Sequence, residues 1–73
     1  MDRDWVAYTK QLLRAEMMRK GINYKGLVEK LADLGIKETE ANLRNKISRG
    51  GFTGAFLVQC LVAMGVNALR LED

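Results

Sequence analysis

Glycine is the only strong punctuation in this chain: seven glycines, no proline, and breaks at Gly21, Gly35, Gly50-Gly51 and Gly65 that each close an apolar-periodic segment. A chain cut in this way suits short helices rather than a sheet. The stretch Gly21–Gly50, GINYKGLVEKLADLGIKETEANLRNKISRG, reads as two helices joined by a glycine turn, with helices before and after that hold it.

The first helix is expected from about Arg3 to Lys20, with Trp5, Thr9, Leu12, Leu13, Glu16 and Met17 on one face. Asp2 and Asp4 suit the positive end of its dipole, Arg19 and Lys20 the negative end. Glu16 is the anomaly on that face. It lies at a solvated rim or pairs with a cation of the third helix, Arg44 or Lys46. Asn23 caps a second helix, Tyr24 to Leu34, through which Leu27, Val28, Leu31 and Leu34 run as an apolar stripe. Gly26 in its first turn is costly for a helix, about 1 kcal/mol against alanine, and implies close packing or the approach of a phosphate backbone.

The third helix is expected from about Thr39 to Ser48, with either Lys37-Glu38 or Thr39 at its start and with Leu43 and Ile47 inward. Its opposite face carries Glu38, Ala41, Asn42, Asn45 and Arg49, flanked by Arg44 and Lys46. Thr53 caps a fourth, Gly54 to Met64, with Phe56, Leu57, Cys60, Leu61 and Met64 as an apolar stripe that Val58 and Val62 widen. Val66 to Leu71 forms a last turn or a short fifth helix capped by Asn67. The fold class is therefore all-α, a compact bundle of four to five short helices, with residues 1–73 as a single domain.

At 73 residues, 48% of them hydrophobic and 29% charged, the chain has the composition of an ordinary soluble globule with a small core. No apolar run reaches the roughly 18 residues of a membrane span, and MDRDW lacks the apolar stretch of a signal peptide. A cytoplasmic protein, with no membrane partner, is expected. One cysteine and no histidine exclude an internal disulfide and the usual zinc sets, and remove the base from serine-histidine and cysteine-histidine catalysis. Neither an enzyme nor a cofactor is expected, and Cys60 reads as a packing residue.

Net charge is +3, but between Trp5 and Leu71 eleven Lys or Arg face five acids, which is +6. A basic body favours polyanions through counterion release. The amide and guanidinium side chains of the third helix are the groups that read base edges, Arg to guanine and Asn to adenine.

The order of segments, with GINYKGL, LGI, ISRG and MGVNALRL, resembles the phage-repressor-like (lambda-repressor-type) helix-turn-helix domains of four or five helices. In that family a helix ends in Gly, a polar cap follows, then often a Gln that touches phosphate, and a Leu packs three residues later; here these places are Gly21, Asn23, Tyr24 and Leu27. The chain departs from the pattern in a longer Gly21–Gly50 segment, in Val28 where a small Ala is usual, and in Ser48 near the place of a common Glu. As a whole, through LLRAEMMRKGINY, KETEANLRNKISRG and FLVQCLVAMG, it is most similar to a small family of uncharacterised bacterial helical domains.

The resemblance implies that the third helix enters a DNA groove while Tyr24, Lys25, Arg49 and the Gly50 and Gly51 amides hold phosphates. Together with the residue chemistry it gives a base-contacting set of Asn42, Arg44, Asn45 and Arg49, and adds Lys46 to the phosphate-contacting set. The expected function is sequence-specific binding of double-stranded DNA by a transcriptional regulator, as a homodimer through helix four and the C-terminal segment. The alternative is a protein-protein interaction module, antitoxin- or adaptor-like, on a helix-turn-helix-derived scaffold.

Overall fold

Every helix of the computed structural model, which describes residues 4–71, begins on a side-chain oxygen. Asp4 accepts from the Ala7 N–H to open α1 (Trp5–Lys20), and Asn23 accepts from Gly26 N–H to open α2 (Tyr24–Asp33). Thr39 does the same for Asn42 at the head of α3 (Glu40–Arg49), and Thr53 for Phe56 at the head of α4 (Gly54–Ala63). Each cap satisfies one of the amides that a helix start leaves without an intrahelical partner. The expected start at Arg3, and the acids Asp2, Glu72 and Asp73, lie outside the described residues.

Three helices also stop in one way. The residues after Gly21, Gly35 and Gly65 are Ile22, Ile36 and Val66, and each sends its N–H back to the carbonyl five residues earlier: Met17, Leu31 and Leu61, at 2.9–3.0 Å. That bond closes the Schellman turn, which needs a left-handed residue at the glycine; Gly21 has φ +67°. The three branched side chains then pack against the core. Helix end and core anchor are thus the same two residues.

Leu13 and Met17 of α1, Leu27 and Leu31 of α2, Leu43 and Ile47 of α3, and Phe56, Cys60 and Leu61 of α4, with Met64, make one buried cluster. Both α1 and α2 lie against α3 and α4. The all-α fold follows from these interlocking stripes, each at helical spacing.

Several expectations need correction. Val66 to Leu71 is not helical: Val66 and Leu69 lie against the core, but the segment leaves α4 through the Gly65 turn without starting a new helix. Trp5 is 65% exposed, and Leu34, the C-cap of α2, is about half in solvent. Glu16 is buried, and its partner is Arg19 on its own helix at 3.3 Å, while Arg44 pairs with Glu40 and Lys46 with Glu38. A Cβ on Gly26 would stand 3.3 Å from the Asn23 cap oxygen, so this glycine makes room for its own helix cap rather than for another helix. Val58 and Val62, expected to widen the inner stripe of α4, are 56% and 57% exposed.

Candidate nucleic-acid interface

Turning Leu43 and Ile47 fully inward leaves α3 with one outward face. Asn42, Asn45 and Arg49, at i, i+3 and i+7, share it, and all three are exposed. At 1.5 Å per residue they span about 10 Å, or about three base-pair steps of 3.4 Å. With Lys37, Glu38, Lys46, Gly51 and Phe52 they line an open cleft of about 580 Å³. Three cations stand there against one carboxylate, and that carboxylate is occupied: Lys46 Nζ donates to Glu38 Oε2 and lies 4.9 Å from the centre of the Phe56 ring. Glu38 is the more buried of the two, so Lys46 holds an otherwise costly charge. Arg49 keeps its five guanidinium donors without a protein acceptor among the described residues, and Asn42 and Asn45 keep their amide side chains.

Arg44 does not join this row. Its guanidinium binds Glu40 Oε2 at 2.8 Å and lies 5.2 Å from the centre of the Tyr24 ring, on the side of α3 that meets α2. Tyr24 is half-buried there; Lys25, beside it in the first turn of α2, is exposed. Gly50 is buried, and its N–H donates to the Lys46 carbonyl at 3.1 Å, which makes it a helix cap rather than a phosphate holder. Gly51 is exposed and at the cleft.

Two cations of α1, outside the expected site, aim α3. Lys10 Nζ donates to the Ser48 carbonyl at 3.0 Å, and Arg14 reaches the Ser48 hydroxyl at 3.3 Å and the Tyr24 hydroxyl at 3.4 Å. The lysine meets the negative end of the α3 dipole. Across the fold Lys20 does the same to the Gly65 carbonyl beyond α4, at 3.4 Å. Cationic residues one helical turn apart in the sequence were the available signal, since Lys10 and Arg14 flank the inner face of α1.

These elements define an all-α domain that presents one polar, cation-rich helix face beside an open cleft. The chain belongs to the family described as Domain of unknown function (DUF6471), which matches residues 5–69. No curated protein and no solved structure matches it. No helix among the described residues is long and apolar enough to cross a membrane.

Proposed function

We propose that this protein binds double-stranded DNA, with α2, the Leu34–Thr39 connection and α3 acting as a helix-turn-helix, and serves as a transcriptional regulator without catalytic activity of its own. The observation that carries the reading is the exposed row Asn42, Asn45 and Arg49, set on α3 at groove-reading spacing and without a protein partner among the described residues. The basic body of the chain and the likeness to phage-repressor domains support it. In this reading Arg44 faces the sugar-phosphate side with Tyr24 and Lys25 rather than the bases, and Lys46 and Gly51 face the other strand.

Fluorescence anisotropy with a random-sequence duplex at low and near-physiological salt tests the proposal. Binding should weaken linearly in the logarithm of salt, and Asn45→Ala and Arg49→Ala should weaken it while the helical circular-dichroism spectrum and melting temperature are retained. A folded protein that shows no binding at low salt refutes it.

A second reading, a protein-interaction module, is favoured by the outer face of α4. No charged residue occurs in Gly54–Ala63, and Val58 and Val62 stand in solvent one turn apart, with Leu71 also exposed. Under the DNA reading this face takes a second copy of the chain, giving the two-fold homodimer that reads two half-sites. Under the other it takes a different protein, and substitutions on α4 rather than α3 would abolish function.

A further inference from the structure

Arg14 of α1 is the exposed cation with the least expected partners. Its guanidinium meets two neutral hydroxyls, Ser48 Oγ at 3.3 Å and Tyr24 Oη at 3.4 Å, and no carboxylate among the described residues. Both contacts are longer than the usual 2.7–3.2 Å of an N–H···O bond, whereas a phosphate oxygen would accept charge-assisted bonds at about 2.7–2.9 Å. The hydroxyls can in turn donate to the same anion. Lys10, bound to the Ser48 carbonyl, adds a second positive charge to the spot.

The position of this group is as telling as its chemistry. Ser48 lies about 60° round α3 from Asn45, on the edge opposite Lys46 and Gly51. A helix lying in a major groove about 12 Å wide has a sugar-phosphate strand on either side. Lys46 and Gly51 serve one edge; Arg14, Tyr24 and Ser48 stand at the other. We infer that Arg14, with the Ser48 and Tyr24 hydroxyls, seats a single backbone phosphate of the duplex, so that α1 contacts DNA along with α2 and α3. This rests on the DNA reading above.

The test is duplex binding by anisotropy across a salt series for the wild type, Arg14→Gln, the double variant Tyr24→Phe/Ser48→Ala, and Arg49→Ala as a reference. Arg14→Gln should lower the slope of log affinity against log salt by about one, weakening all duplex sequences alike. The double variant, which removes hydroxyls but no charge, should weaken binding several-fold at an unchanged slope. A merely structural Arg14 would lower the melting temperature and leave the slope alone, which overturns the inference. Unchanged binding by Arg14→Gln while Arg49→Ala binds poorly also overturns it and leaves the DNA reading standing. Absence of duplex binding by the wild type ends both. A titration with inorganic phosphate, followed by NMR at the Ser48 amide, separates the sources: a saturable shift together with an unchanged duplex slope in Arg14→Gln would mean a seat for free phosphate and not for DNA. Should Arg14→Gln fail to fold, the double variant decides: full-strength duplex binding by it overturns the inference.

Discussion

A methyl group on Gly50 would stand 2.9 Å from Val6 Cγ1 and 3.0 Å from the Val6 carbonyl oxygen, so α1 and the end of α3 meet at a point where only hydrogen fits. The glycine also has φ +76°, which an L side chain adopts at a cost of about 1–2 kcal/mol. Gly50→Ala adds a clash with backbone to that cost. Its loss of stability should exceed about 2 kcal/mol, or roughly 10 °C in melting temperature. Gly35→Ala, at φ +81° but with open space around the added carbon, should lose only about 1 kcal/mol. Thermal melts of the two variants check the difference, and equal losses would mean that the α1–α3 contact is not tight.

Glu16 is 3% exposed between Leu13 and Met17, and its one ion pair among the described residues runs to an arginine that is mostly in solvent. Replacing a buried charge with an apolar side chain of similar size is often neutral or stabilising. Glu16→Met should hold or raise the melting temperature. Arg19→Ala in the native background removes this ion pair from a buried carboxylate and should cost about 1 kcal/mol; in the Glu16→Met background it should cost almost nothing. The four proteins form a double-mutant cycle, and a coupling near zero would remove the pair from any account of stability.

Cys60 is fully buried, and burial, with the nearby Glu38 charge adding and Lys46 subtracting, pushes its thiol from 9.0 up to about 12. Its folded value lies above its unfolded one. The stabilising contribution is therefore complete below pH 9 and is lost as pH rises from 9 towards 12, at up to about 1.4 kcal/mol per pH unit. Cys60→Ala should be less stable than wild type at pH 7, with the gap narrowing between pH 9 and 11 in denaturant titrations. Thiol reagents at pH 8 should modify the native protein only as fast as it opens, and the unfolded protein at once.

Val58 and Val62 lie more than half in solvent, so charged substitutions there should cost the fold under about 0.5 kcal/mol. If a second copy covers this face, Val58→Lys/Val62→Lys will sediment as a monomer where the wild type sediments as a dimer, with the helical spectrum unchanged. Identical sedimentation of the two proteins would leave α4 to another partner or to none.

What could be read in the sequence was what is decided locally. The caps Asn23 and Thr53, the stops at Gly21, Gly35 and Gly65, and the inward pair Leu43 and Ile47 depend on residues within a turn or two of one another. How α1 is rotated over α3 depends on distant residues, and there the reading failed. Glu16 proved to turn towards Arg19 and not to α3, Arg14 to reach Ser48, and Gly50 to be a packing point instead of an anion holder. Helical spacing puts Arg44 on the flank of the base readers; the Tyr24 ring, from another helix, draws it aside. Val66 to Leu71 has helix-like apolar spacing, but Val66 is held by the turn that ends α4, Leu69 lies against the core and Leu71 stands in solvent. The same limit applies to the outer face of α4, whose apolar residues look like core until the core is seen to be full.

The turns at Ile22, Ile36 and Val66 also make this chain modular. Each of these three helices, α1, α2 and α4, is closed, and the residue after its glycine anchored, by atoms that precede the next connection. An insertion after Ile36 therefore need not move the end of α2, so long as Glu38 still meets Lys46 and Thr39 still caps α3. A domain built in this way can keep its frame while the reach of one helix changes, leaving the connection after Ile36 as the place where length, rather than side-chain identity, can alter what the molecule touches.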